Sequence, residues 1–185
     1  MATQFQDVKY LAAVRQGDFE AFEHLYSLYH ARVYSFVYRL CWDADQAEQL
    51  LQDTFLRLWK GAKLISRDAQ ILPQLYRMAK DAWLEAVREN PCVSNPDAPA
   101  CAVKPSRSTR KRMRDEHERA LKESLLALEP KPRVIAVLVL HQGLSLKDAA
   151  EVMGHPQAAL ETVLAQSEAQ LRQALQSRLS ENDAA

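Results

Sequence analysis

The stretch FEAFEHLYSLYHARVYSFVYRL, Phe19 to Leu40, decides the fold class of this 185-residue chain. Its large apolar residues fall at Phe19, Phe22, Leu25, Tyr26, Tyr29, Val33, Phe36, Val37 and Leu40, steps of three and four that draw one stripe along a helix. Asp18, after Gly17, stands where an N-cap belongs. A second stripe runs through Ala47, Leu50, Leu51, Phe55, Leu58 and Trp59 until Gly61 stops it, and a third runs through Leu75, Met78, Ala79, Ala82, Ala86 and Val87 after Pro73. With a short leading helix around Val8 to Arg15, these predict an N-terminal helical bundle over residues 1–90.

Downstream, Pro91, Pro96, Pro99 and Pro105 interrupt a segment with no periodic apolar face, which predicts a flexible linker over 91–118. The linker ends in a basic run, Arg107, Arg110, Lys111, Arg112 and Arg114. The last third, 119–185, reads as four helices: about 119–128, 131–141, 146–153 and 156–179. Gly143 ends one of them, Ser145 caps the next with Asp148 three residues on, Gly154 ends that one, and Pro156 opens the last. The fold class is therefore all-α, two helical domains joined by a tether.

Composition agrees and excludes other classes. Four glycines, all at helix boundaries, leave none for a phosphate-binding loop, and the longest apolar run, Val134 to Leu140, falls far short of the roughly 20 residues that span a bilayer. No membrane insertion is expected. Met1 to Tyr10 lacks a secretory signal pattern, which with three cysteines places the chain in the reducing cytoplasm, where Cys92 and Cys101 read as free thiols before a disulfide or redox switch. Although 24 Lys and Arg balance 24 Asp and Glu, residues 91–119 carry 7 basic and 4 acidic side chains, so the positive excess lies mid-chain. His24, His30, His117, His141 and His155 show no metal-ligand spacing with the cysteines, and no nucleophile, acid and base constellation is present. No catalytic residue, metal or cofactor is expected, and the chain is not read as an enzyme.

Ala149 and Ala150, Gly154 in the turn, then Leu160 and Val163 meet the packing needs of a helix-turn-helix. Yet the second helix reads QAALETVLAQSEAQ from Gln157 to Gln170, with Glu161 and Glu168 and no cation before Arg172. Carboxylates facing phosphates repel them. The pattern supports the fold of a DNA reader better than the act of reading.

Together RQGDFEAFEHLYSLYHARVYSFVYRL (Arg15 to Leu40), DADQAEQLLQDTFLRLWK (Asp43 to Lys60), LYRMAKDAWLEAVRE (Leu75 to Glu89) and LEPKPRVIAVLVLHQGLSLKDAAEVMG (Leu128 to Gly154) resemble the extracytoplasmic-function (ECF) sigma factors of the sigma-70 family. The resemblance covers nearly the whole chain and implies a subunit that directs bacterial RNA polymerase to promoters. It places Asp45, Glu48, Gln52, Asp53, Phe55 and Trp59 on the helix that binds the polymerase core. It implies contacts with promoter DNA by Lys63, Arg67, Arg77, Lys80 and Arg88, with Tyr76 or Trp83 offering a stacking face. Arg110, Lys111, Arg112 and Arg114 of the linker, Arg133 and Gln157 complete that set. An anti-sigma factor is a further partner that the resemblance implies. The other reading of the residues is a sigma-like regulatory interaction protein that has lost sequence-specific DNA binding, with Leu160, Val163, Leu164, Leu171, Leu175 and Leu179 forming a partner seam.

Overall fold

The computed structural model describes residues 2–66, 70–94 and 116–182, and among them every regular element is helical. Helix α1 spans Ala2–Val14, α2 Phe19–Cys41, α3 Ala44–Gly61 and α4 Ile71–Glu89. After the break at 95–115 come α5 (Glu116–Leu126), α6 (Pro130–Ala136), α7 (Leu146–Met153) and α8 (Gln157–Asn182).

Local chemistry sets these boundaries. Asp18 accepts the Ala21 N–H at 3.1 Å and so starts α2, while Asp43 accepts the Gln46 N–H at 2.9 Å and starts α3. Between α2 and α3 the chain reverses at Trp42, whose φ of 55° lies in the left-handed region. That conformation is costly for a bulky residue. Burial of the indole and the Arg39 guanidinium 4.6 Å from its ring centroid hold it there. Helix α4 begins at Ile71, before Pro73 rather than after it, because a proline in the first turn lacks only an N–H that has no helical partner anyway. Ser145 caps α7 by accepting the Asp148 N–H at 3.1 Å, and its hydroxyl donates to the Asp148 carboxylate at 2.7 Å. Gly154, at φ 67°, closes α7 and turns the chain into α8.

Helix α6 continues into a π-helical turn, Val137–His141, where the expected helix over 131–141 runs unbroken in the sequence pattern. Widened turns of this kind accommodate one extra residue per bond and commonly mark functional positions.

Helices α2, α3 and α4 pack against one another with α1 across them, forming the front lobe. Phe36 lies at its centre, fully buried, its ring 5.0 Å from that of Tyr76 on α4. The rear lobe places α8 against α5, α6 and α7, with Ala149, Val152, Met153, Leu160 and Leu164 buried in the helix-turn-helix corner. The seam expected along α8 is thus internal at Leu160, Leu164 and Leu171.

The lobes touch directly: α4 packs on α7, and α2 packs on α5 and on the π-helical turn. Buried apolar residues run without interruption from Leu11 to Leu171. The start of the expected linker belongs to this body, since Pro91–Val93 form a 3-10 turn capped by Asn90 and Val93 is buried. Cys92 in that turn is disulfide-bonded rather than free. Cys41 is a buried free thiol, pushed up to about 12 by burial, which removes it from thiolate chemistry.

Replacing Phe36 by Ala removes a ring from the place where α2, α4 and their aromatic pair meet. It is expected to cost about 3–5 kcal/mol of stability, measured by urea denaturation of the full chain.

Candidate partner-docking and nucleic-acid faces

Two faces of the front lobe collect the residues singled out in the sequence. On α3 the buried side carries Ala47, Leu50, Leu51, Thr54, Phe55 and Leu58. The opposite side exposes Asp45, Glu48, Gln49, Gln52 and Leu56, which follow the three-and-four spacing of one helix face. Phe55 belongs to the core and not to this face. It meets Tyr26 and Phe22 edge-on at 4.8 and 6.2 Å, while Trp59, half-buried, meets Phe22 and Phe19 at 5.2 and 6.2 Å. Asp53 is held by Arg57, whose Nε donates to it at 2.8 Å while Nη2 donates to Glu85 of α4 at 2.6 Å. Arg57 therefore clamps α3 to α4, and the charge of Asp53 is balanced on the surface. The acid that remains open to a partner is at Asp45 and Glu48.

Sequence reasoning passed over Leu56, which sits in the middle of that face with 52% of its surface exposed. The periodic stripe of the core assigned Leu58 and Phe55 inward, and counting one or two positions away from them would have placed Leu56 outward.

The second face lies on α4 and the loop before it. Arg15, also missed, holds this loop: its guanidinium donates to the carbonyls of Ala62 at 3.0 Å, Ile65 at 2.6 Å and Ser66 at 3.0 Å. The loop so fixed exposes Lys63 and Leu64. Beside it lies an open groove of about 620 Å³ lined by Leu64, Ile65, Gln74, Arg77, Asp81 and Glu151 among others. Arg77 and Arg88 are exposed, but they share the outer side of α4 with Asp81 and Glu85, so that side carries no net positive charge. The strongest cation and stacking ring of the set are turned away from solvent. Lys80 is 8% exposed and Trp83 fully buried.

Arg133, expected at DNA, is instead buried, with 2% of its surface exposed. Its Nη1 donates to the carbonyls of Leu40 and Ser94, and its Nη2 to those of Leu126 and Leu128. Leu40 and Leu126 lie in the last turns of α2 and α5, whose carbonyls have no helical partners and carry the negative ends of the helix dipoles. Burial draws the Arg133 guanidinium down to about 10, which leaves it charged near neutrality. Gln157 is exposed at the start of α8, but its side-chain amide donates to Glu161 at 2.9 Å. Arg67, Arg110, Lys111, Arg112 and Arg114 lie outside the described residues.

These helices and faces match known proteins. Residues 25–90 fit the model of Sigma-70 region 2. The chain is 28% identical over 192 residues to the RNA polymerase sigma-H factor of Pseudomonas aeruginosa, covering 98% of this chain and 100% of that one. It is 27% identical over 169 residues to the ECF RNA polymerase sigma factor SigM of Mycobacterium tuberculosis, covering 91% of this chain and 84% of the relative. Among solved structures, CnrH in complex with the cytosolic domain of CnrY superposes with a TM-score of 0.73 at 19% identity, over 93% of this chain and 98% of that one. The sigma factor RpoE of Bartonella quintana, in complex with the anti-sigma factor NepR, superposes with a TM-score of 0.66 at 19% identity, over 84% and 96%. The front lobe thus carries the match to Sigma-70 region 2, and the chain as a whole is similar to ECF RNA polymerase sigma factors.

Among the described residues no helix is long and apolar enough to cross a membrane, and no three His, Cys, Asp or Glu side chains group as metal ligands.

One contact between the lobes involves a histidine whose titration is shifted downward. Arg39 Nε donates to His141 Nε2 at 3.2 Å, which requires that nitrogen to be unprotonated, and Glu118 lies 3.7 Å from Arg39 Nη1. Burial, and then the Arg39 charge, hold His141 below its ordinary value. In the unfolded chain the imidazole titrates at about 6.5. Stability from this contact is full above that pH and is lost as pH falls through it, because the unfolded chain then takes up the proton first. Thermal melting at pH 7.5 and 5.5 is expected to show an acid-induced drop that shrinks in His141→Gln, where the side-chain oxygen accepts from Arg39 without titrating.

Proposed function

We propose that this protein is an ECF-type RNA polymerase sigma factor. The exposed face of α3 docks on core polymerase, and the front lobe then presents promoter DNA for initiation. The single observation that supports this reading is the α3 face itself, where Asp45, Glu48, Gln49 and Gln52 surround an exposed Leu56. A face that mixes carboxylates with one large apolar side chain suits a partner helix presenting Arg and apolar groups: the charges set orientation and encounter rate, and the leucine supplies desolvated contact. Phe55 supports this face from below, and Arg57 ties the helix to Glu85 of α4. The DNA-contacting set is Lys63, Arg67, Arg77 and Arg88, without the buried Lys80 and Trp83, aided by the basic run Arg110 to Arg114, whose phosphate contacts would release counterions that α8 does not.

The role is binding and positioning rather than catalysis, and it belongs in the cytoplasm, where promoter and polymerase are. Residues 1–90 act as the polymerase-binding unit and 119–185 as the upstream unit, with 91–118 between them. An anti-sigma factor, such as those bound by the solved relatives, is a fitting regulator.

A second reading is favoured by one observation. The side chain that begins α8, Gln157, is engaged with Glu161, and the outward residues that follow carry no cation before Arg172. On this reading the rear lobe no longer reads sequence and serves protein contacts. A salt titration of binding to duplex upstream DNA separates the two: a reader loses affinity steeply as salt rises, and an interaction module shows no affinity to lose.

Charge reversal at both Asp45 and Glu48, to Lys, is expected to weaken capture of core polymerase by roughly tenfold, equal to about 1.4 kcal/mol. Run-off transcription should fall in step. Unchanged capture at low salt would remove α3 as the docking face.

A further inference from the structure

Arg15 stands just past the end of α1, and its guanidinium reaches 47 to 51 residues along the chain to the turn that follows α3. Its Nε donates to the Ala62 carbonyl at 3.0 Å, and its Nη2 to those of Ile65 at 2.6 Å and Ser66 at 3.0 Å. Both ends of this strut are rooted. Leu11 and Val14 fix the last turn of α1 in the core, and Ala62 and Ile65 are buried at the base of the turn. A planar fork of N–H donors can serve several carbonyls at once, which the single ammonium group of a lysine does not match.

The strut holds up an unusual tip. Between buried Ala62 and Ile65, Lys63 is exposed and Leu64 has 91% of its surface exposed, the most of any large apolar residue among those described. On a loose loop such a leucine would fold back onto apolar neighbours, because burying apolar surface is favourable. The three bonds deny it that retreat. They also draw three carbonyl dipoles inward, toward the Arg15 cation, and leave Lys63 as the charged side chain at the tip. Leu64, Ile65 and Ser66 line the open groove of about 620 Å³ together with Gln74, Arg77 and Met78 of α4, so the place at which Arg15 holds the turn sets the shape of that groove.

We infer that Arg15 is a positioning residue for nucleic-acid binding: it touches no DNA itself and holds Lys63 and Leu64 where the ammonium group meets a phosphate and the leucine meets the face of a base. The inference rests on the sigma-factor reading and deepens its DNA-binding side. A cation beside a bare apolar side chain, with Arg77 on the same groove, matches the two surfaces that a nucleic-acid strand offers, phosphate and base. Arg15 acts through the turn because its own donors are already spent on carbonyls.

The test uses the full chain with a fluorescein-labelled single-stranded oligonucleotide as probe, titrated over a range of salt. The variants are Arg15→Gln, Arg15→Lys, Lys63→Ala and the double variant Arg15→Gln with Lys63→Ala. Arg15→Gln is expected to weaken probe binding about fivefold and to lower the salt slope by about one phosphate contact, as Lys63→Ala does. The double variant should lose no more than either single one, since both remove the same contact. Arg15→Lys keeps the charge but not the fork, and is expected to bind as weakly as Arg15→Gln. Hydrogen exchange should quicken at the amides of 62–66 and not in the cores of α2 and α3, which separates a displaced turn from general destabilisation. Recovery of affinity in Arg15→Lys, a twofold larger loss of salt slope in the double variant, or no probe binding by the unsubstituted chain at low salt overturns the positioning role. Capture of core polymerase by the unsubstituted chain is measured alongside. Its absence would overturn the sigma-factor reading, whereas capture retained with Arg15 and Lys63 acting independently overturns the positioning role alone.

Discussion

A single guanidinium joins the parts of this molecule. Arg133 reaches the carbonyl of Leu40 at the end of α2, that of Ser94 after the 3-10 turn, and those of Leu126 and Leu128 at the end of α5. A buried cation normally requires a carboxylate to offset its desolvation. Here the negative ends of two helices and two further carbonyls take that role. Removing the side chain would leave those oxygens buried without donors, and the geometry of the whole junction follows from meeting them at once.

Around that anchor the front lobe is built as an ordinary amphipathic bundle with the candidate site residues on the outside of α3 and on α4. The two faces have opposite relations to solvent. On α3 Asp45, Glu48 and Leu56 stand exposed, because its inward stripe of Leu50, Leu51, Phe55 and Leu58 already fills the core. On α4 the inward stripe is wider and takes in Tyr76, Lys80 and Trp83, because a second layer, the rear lobe, packs on it. A residue type suited to nucleic acid is thus found engaged in protein contacts.

The rear lobe meets the front lobe through α5, α7 and the π-helical turn. The contacts across the junction are mostly single hydrogen bonds between polar side chains and carbonyls, each of modest net worth. Apolar burial supplies the remainder, and partnerless donors at Trp83 and Arg133 subtract from it.

Much of this was legible along the chain. Helix positions followed from the three-and-four spacing of apolar residues, their ends from Asp18, Gly61, Ser145 and Gly154, and the outward placing of Asp45 and Glu48 from the stripe opposite them, because these are local consequences of backbone hydrogen bonding and side-chain period. Phe55 fell to the core for the same reason. What the sequence leaves open is every question that depends on a partner far along the chain. An isolated Arg133 or Lys80 reads as a surface cation available to phosphate, since nothing within a few residues says otherwise. Only the tertiary structure sets carbonyls 93 residues away from Arg133 and 72 away from Lys80, and so decides that both are buried. Long-range packing, and not residue type, determines which charges of this protein face the solvent.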